Sequence, residues 1–124
     1  MVSRVQVVLT LFLKFNLIMK NKTFNDIQFT NHPNGYGIAG VLVVNGFNIS
    51  VIAGPGYYCF PKLDFKSPDK FTSFEVSVWD NDGKFVTQDL YPGHENDVIG
   101  WLSKDDINDL ILKLETQKAW IPEI

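Results

Sequence analysis

Two apolar runs joined by Asn45-Gly46 constrain the fold more than any other feature of this sequence. The first run spans residues 38–44, and after the dipeptide apolar residues recur at every second position, at Phe47, Ile49, Val51 and Ala53. Asn-Gly tolerates the positive φ angles of a two-residue hairpin turn, and a period of two is that of a half-buried strand. The pattern therefore predicts two antiparallel strands joined by a tight turn.

Two further segments alternate in the same way. Between residues 23 and 30, Ile27 and Phe29 alternate with polar residues, and residues 73–78 repeat the pattern. The turn sequence 80–83 then leads into residues 84–88, so this part of the chain predicts a second hairpin.

The period changes near the end of the chain. Ser103 and Asp106 form a capping-box sequence, and the apolar residues after them fall at helical spacing, at Ile107, Leu110, Ile111 and Leu114. One apolar stripe needs one apolar surface to cover, and the predicted strands supply it. We therefore expect an α+β fold, an antiparallel β-sheet of four to five strands in two hairpins with one C-terminal α-helix packed on it.

The chain has 124 residues, a length typical of one domain. Residues 1–18 form an apolar N-terminal extension, interpreted either as a mis-annotated start, with Met19 as the favoured true start, or as an extra strand. Its apolar run is shorter than the roughly 20 residues that span a bilayer, so no membrane association is predicted. Residues 19–124 are expected to form a single α+β domain.

Charge is distributed unevenly along the sequence. Residues 1–74 hold 7 basic and 3 acidic residues, a net of +4, whereas residues 75–124 hold 4 and 11, a net of −7. The one arginine is Arg4, which disfavours specific nucleic-acid binding because that recognition relies on the arginine fork. The single cysteine, Cys59, excludes an internal disulfide and is expected to be a packed or semi-exposed structural thiol in a reducing, cytoplasmic compartment.

Residues 55–71 form an aromatic loop without a recognisable regular element, and a loop this long in a compact domain tends to be functional. Aromatic side chains supply large contact areas, so the loop is the predicted protein-binding site. The candidate residues are Tyr57, Tyr58, Phe60, Lys62, Phe65 and Lys66. An alternative is that the loop closes over the sheet and forms a small-molecule or metal-dependent pocket, and a third is weak binding of single-stranded nucleic acid through its lysines.

His94, Glu95 and Asp97 form a secondary polar cluster that could ligate a metal or share a proton. Three such side chains within four loop residues rarely converge without a ligand from elsewhere in the chain. The sequence contains no recognisable catalytic motif. We therefore expect no catalytic residue, no metal and no cofactor, and a protein that is not an enzyme.

The segment 97–107, with the sequence DVIGWLSKDDI, resembles the closing segment of small uncharacterised proteins encoded by tailed bacteriophages. The similarity in layout covers about residues 23–115, and the resemblance implies a phage accessory protein in the cytoplasm of a bacterial host. We expect a monomer or homodimer that binds a host or viral protein through residues 55–71 and the acidic C-terminal half. Within the motif, Gly100 is interpreted as a turn glycine and Trp101 as a core aromatic that seats the helix.

Overall fold

A computed structural model describes residues 21–119 of the chain, with side chains to residue 116. The interpreted extension at residues 1–18 lies outside the described residues. The elements are β1 (Thr30–Asn31), β2 (Ile38–Val44), β3 (Phe47–Ala53), β4 (Phe74–Trp79), α1 (Thr87–Leu90), β5 (Val98–Leu102) and α2 (Lys104–Ala119). The strands form one sheet in the order β1-β2-β3-β4-β5, with every neighbouring pair antiparallel.

The central hairpin forms as the sequence predicts. Asn45 and Gly46 take φ angles of 50° and 85°, and Val44 pairs with Phe47 directly across the turn. Both residues of the turn therefore have the positive φ angles that a two-residue hairpin turn requires.

The C-terminal helix begins with the predicted capping box. The Ser103 N–H donates to Asp106 Oδ2 at 2.9 Å, and the Asp106 N–H donates to Ser103 Oγ at 3.1 Å. The four apolar residues of its stripe are buried against the sheet. The predicted fold class, an antiparallel sheet with one helix packed on it, is confirmed.

One face of the sheet, here called the inner face, carries the core. Alternate residues of β2, β3 and β4 point into it, and α2 covers it. Phe24, Phe71 and Leu90 fill the margins between the helix and the strands. The core of the described residues therefore lies on one side of the sheet.

The segment 23–30, predicted as a strand, is different. Thr23 caps a single 3₁₀ turn at Phe24–Asp26, and the Thr23 N–H donates to Asp26 Oδ2 at 2.8 Å. Because these side chains satisfy the backbone locally, the turn replaces the ladder of a strand, and only Thr30–Asn31 pairs with β2.

The second hairpin is shorter than predicted. The turn at residues 80–83 forms, but the returning chain pairs with β4 only at Trp79 and Phe85. The buried Thr87 hydroxyl then accepts the Val78 N–H at 2.9 Å and donates to the Val78 carbonyl at 3.3 Å, and α1 begins at that residue. The Thr87 hydroxyl therefore bonds to the backbone groups of Val78 in the place of a neighbouring strand. The preceding residues of β4 pair with β5.

No helix among residues 21–119 is both long and apolar enough to cross a bilayer.

Candidate protein-binding surface

The structure divides the predicted binding loop into a packed side and an exposed side. Cys59 and Phe71 are buried and Phe65 is half-buried, whereas Tyr58 and Phe60 are exposed. Cys59 therefore points inward between two outward-facing aromatic residues. Residues 58–60 thus expose aromatic surface while remaining fixed to the core.

A close backbone approach fixes the start of this loop. Gly37 and Gly54 have φ angles of 73° and 150°, and a Cβ on Gly37 would overlap the Ala53 carbonyl oxygen. The Gly54 N–H donates to Cys59 Sγ at 3.3 Å, and the thiol lies 3.3 Å from the Gly54 carbonyl. Burial raises the pKa of Cys59, so this cysteine is the packed structural thiol that the sequence predicts.

Three of the six predicted binding residues make side-chain contacts within the protein. The Tyr57 hydroxyl contacts His32 Nε2 at 3.1 Å and accepts from the Asn34 amide. Lys66 pairs with Asp64 at 2.9 Å and donates to the Gly35 carbonyl at 3.0 Å. The third, Phe65, packs edge-on against Phe71.

Asp64 completes this attachment of the loop to the turn at residues 32–37. Its Oδ1 accepts the Gly37 N–H at 2.7 Å. This hydrogen bond, followed by the one from Lys66, lowers the pKa of Asp64, so the carboxylate stays ionised to a lower pH than an ordinary aspartate.

Of the other three predicted residues, Tyr58 and Lys62 lie against Trp101, and Phe60 follows two positions after Tyr58 in the chain; we call these four residues the aromatic corner. The rings of Tyr58 and Trp101 are tilted, with centroids 5.3 Å apart. Lys62 Nζ lies 5.7 Å from the Tyr58 centroid and 5.9 Å from the Trp101 centroid, within cation–π range of both. Phe60 and Trp101 are 62% and 57% exposed, so the corner presents aromatic surface beside one positive charge.

The interpretation of Trp101 as a core residue is wrong. The register of β5 shifts between the partners of Phe74 and Val76, so two residues, Gly100 and Trp101, lie opposite Glu75. This bulge gives Trp101 a φ of 56° and turns its indole to the outer face of the sheet. The backbone N–H of Trp101 donates to the Tyr58 carbonyl at 2.9 Å, and this hydrogen bond holds the bulge in place.

Gly100 lies in β5 rather than in a turn, directly beneath Tyr58. A Cβ at this position would lie 2.5 Å from Tyr58 Cβ. A glycine inside a strand pattern commonly marks such an approach, so the Gly100-Trp101 dipeptide was the available signal for this site.

The buried side chain of Glu75 holds the backbone of the aromatic corner, a role that the sequence patterns did not indicate. Glu75 is 9% exposed, and its Oε1 accepts the Tyr58 N–H at 3.1 Å. The Tyr58 backbone is therefore fixed to β4 through Glu75 and to β5 through Trp101.

Apart from Glu75, which lies beneath Tyr58, the outward-facing strand positions are partly or fully exposed, and we call this outer surface, which includes Trp101, the open face. Its positions follow directly from the strand register and form three rows, the last of which also includes Thr30 of β1, the partner of Ala39. From one edge to the other, the rows are Val43, Asn48, Trp79 and Phe85; Val41, Ser50, Ser77 and Val98; and Ala39, Ile52, Glu75 and Trp101. Val41 and Val43 on β2 are 52% and 49% exposed, so the open face also has apolar surface on the side away from the aromatic corner.

The three residues of the predicted polar cluster, His94, Glu95 and Asp97, do not form a common site. His94 Nε2 contacts the Val98 carbonyl, and Asp97 accepts from the Gln88 amide at 3.3 Å. Glu95 is exposed. Across the part of the chain that the structure describes, no three acidic, histidine or cysteine side chains form a group that could hold a metal ion.

An open groove of about 310 Å³ lies on the helix side of the sheet. It is lined by Tyr91, Leu102, Asp106, Asp109, Leu110 and Lys113. Burial, and then the nearby carboxylates of Asp106 and Asp109, raise the pKa of Tyr91. The Lys113 ammonium donates to the carbonyl of Leu90, the last residue of α1, at 2.7 Å. This groove is not beneath the 55–71 loop, where a ligand pocket was the alternative prediction.

No family model, curated protein or solved structure matches this chain.

Proposed function

We propose that this protein is a non-enzymatic binding module that engages a host or viral protein through the aromatic corner. The tailed-phage resemblance suggests the setting of this proposal, which is an accessory protein in the cytoplasm of an infected bacterium. The observation that carries the proposal is the exposed, tilted pair of Tyr58 and Trp101 with Lys62 above both rings.

The aromatic corner combines exposure with rigidity. Interfaces are dominated by a few aromatic and cationic side chains, and binding is stronger when those groups lose little freedom on association. Tyr58 is held by backbone hydrogen bonds to Glu75 and Trp101, and the chain beside Phe60 pairs with Ser73. The backbone that carries these rings is therefore fixed before a partner arrives, and the contact with Trp101 orients the Tyr58 ring.

Charge adds a preference for the partner. Lys62 is exposed and forms no ion pair among the described residues, whereas Lys66 and Lys104 pair with Asp64 and Asp69. A carboxylate at the rim of a partner surface would complement Lys62 and speed association. The preferred partner surface is therefore apolar at its centre and acidic at one edge.

The test is affinity capture from a host lysate with the wild type and the double variant Tyr58→Ala/Phe60→Ala. Leu112→Ala is the matched control, because Leu112 is a similarly exposed apolar residue on α2. We expect one or a few captured proteins that bind at least about tenfold more weakly to the double variant and equally well to the control. Identical capture by all three proteins would refute the proposal.

A photoreactive residue placed at position 60 provides a direct contact test. It should crosslink to the captured partner, whereas the same residue at position 112 should not. Lys62→Glu should weaken capture most at low salt, because an exposed charge pair is screened as ionic strength rises.

A further inference from the structure

The imidazole of His32 joins the turn at residues 32–37 to the 55–71 loop. Its Nδ1 accepts the backbone N–H of Asn34 at 3.1 Å, and its Nε2 lies 3.1 Å from the hydroxyl oxygen of Tyr57. The His32 and Tyr57 rings also pack together, with centroids 5.1 Å apart. Tyr57 directly precedes Tyr58, so this contact lies one residue from the aromatic corner. We call His32, Asn34 and Tyr57 the latch.

The hydrogen bonds of the latch define the protonation state of the imidazole. A backbone N–H can only donate, so Nδ1 of His32 carries no proton, and the ring proton is on Nε2, which donates to the Tyr57 hydroxyl. The Asn34 side chain donates to the same oxygen through its amide nitrogen, because its Oδ1 accepts the Tyr36 N–H at 2.8 Å. The Tyr57 oxygen thus accepts one hydrogen bond from each of two turn residues, and this arrangement requires a neutral imidazole.

A second proton on the imidazole breaks this arrangement. Both nitrogens of an imidazolium donate, so its Nδ1–H would point at the Asn34 N–H with no acceptor between them. If the ring rotates away, the bond from Nε2 to Tyr57 is lost. If Asn34 moves away instead, its side chain leaves the Tyr57 hydroxyl. Either movement removes one of the two hydrogen bonds that hold Tyr57 to the turn.

No acidic group among residues 21–116 pairs with the His32 imidazole. The titratable groups at this junction are Tyr36 in the turn and Tyr57, Asp64 and Lys66 in the loop. Asp64 and Lys66 form an ion pair with each other, and His32 takes part in neither of the two ion pairs found in this part of the chain. The junction therefore favours the neutral form of the imidazole.

We propose that the latch is sensitive to pH: protonation of His32 loosens the hold of the turn on Tyr57 and on the aromatic corner that follows it. The proposal rests on the proposed function in taking the corner as the surface that is regulated. Imidazoles change charge between about pH 5 and 8, so the latch is complete above this range and is lost as the pH falls through it. Asp64 stays ionised there, because hydrogen bonds from Gly37 and Lys66 lower its pKa, and the Gly37 end of the turn remains attached.

An NMR titration of the full chain from about pH 8 to about pH 5 tests the latch. We expect the Asn34 amide and the Tyr57 ring to shift with the same midpoint as the imidazole protons of His32, while the Gly37 amide does not shift until below about pH 4. His32→Asn is the matched control, because an asparagine side chain accepts the N–H two residues on without titrating, and the variant retains the other histidine, His94. Its Asn34 amide should not move over this range. An Asn34 amide that stays fixed while His32 titrates, or that moves equally in His32→Asn, overturns the proposal.

The indole N–H resonance of Trp101 tests whether the effect reaches the aromatic corner. It should shift with the same midpoint as Asn34 in the wild type, because the Tyr58 ring packs against Trp101 and Tyr58 follows Tyr57. Tyr57→Phe keeps the ring but removes the oxygen that accepts both hydrogen bonds, so its indole resonance should not respond while its Asn34 amide still does. A wild-type indole that does not move over this range overturns the control of the corner by His32.

The two proposals fail separately. If the Trp101 indole does not respond but a partner is still captured through Tyr58 and Phe60, the latch is overturned and the proposed function stands. If the indole responds but no captured protein depends on the aromatic corner, the latch is supported and the proposed function is removed.

Discussion

The two faces of this sheet use the same strands in opposite ways. On the inner face, Val51 and Val76 are fully buried beneath α2. On the outer face, Val41 lies half-exposed one strand away, beside Ser50 and Ser77. Antiparallel sheets commonly pack one face on the core and expose the other, so the inner face stabilises the fold, and the outer side of the sheet is where we propose that a partner binds.

The largest test of this contrast compares one residue type on both faces. Val51→Ala removes two buried methyl groups and leaves a cavity, which should lower the free energy of unfolding by about 2.5 kcal/mol. Val41→Ala, at a half-exposed position, should cost less than about 0.5 kcal/mol. Urea denaturation measures both, and equal losses would show that the two faces are not distinct.

The second prediction concerns the buried hydrogen bonds between the Thr87 hydroxyl and the Val78 backbone. Thr87→Val removes the acceptor of the Val78 N–H and should cost about 1–3 kcal/mol, because that buried donor loses its partner. The Val78 carbonyl keeps a bond from the Val86 N–H. Thr87→Ser retains the hydroxyl and is the control, expected to be close to wild type in urea denaturation. A Thr87→Val protein as stable as the serine variant would contradict this account.

Gly100 links the two faces, because it lies in the sheet but supports the aromatic corner. Gly100→Ala places a methyl group against Tyr58 Cβ and should cost about 1–2 kcal/mol while displacing the Tyr58 ring from Trp101. The indole N–H resonance of Trp101, assigned with a Trp101→Phe variant, should shift in the NMR spectrum. An unchanged resonance would mean that Gly100 does not position the corner.

Acid should loosen the loop that carries the aromatic corner, with the smallest expected effect. Because hydrogen bonds from Gly37 and Lys66 lower the pKa of Asp64, the stability they give is complete above the ordinary aspartate pKa of about 3.9. It is lost as pH falls through the lowered value. The Gly37 amide resonance should therefore move only below about pH 4, and Asp64→Asn should abolish that movement.

Regular patterns made the fold predictable. The hairpin at Asn45-Gly46 and the helix cap at Ser103 are local, so a few neighbouring residues specify each of them. The strand prediction for residues 23–30 was wrong because Thr23 and Asp26 bond to each other's backbone and form a 3₁₀ turn. The alternation of apolar residues carries no information about such side-chain hydrogen bonds.

The candidate site was predictable only in part. The sequence indicated Tyr58, Phe60 and Lys62, but their separation from Tyr57 and Lys66 depends on contacts with residues 32–37. Trp101 joins the corner through a bulge that is set by the pairing of β5 with β4. Such a bulge follows from strand register across the sheet, which spacing along the chain does not reveal.

The close approach of Gly37 and Gly54 has a consequence for how the loop can change in evolution. Backbone atoms make this contact and the buried Cys59 thiol bonds to Gly54, so the position of the loop does not depend on the exposed side chains of Tyr58, Phe60 and Lys62. Tyr58, Phe60 and Lys62 can therefore be exchanged during divergence while the scaffold stays unchanged. A library randomised at these three positions, with both glycines retained, should yield folded variants that recognise new surfaces.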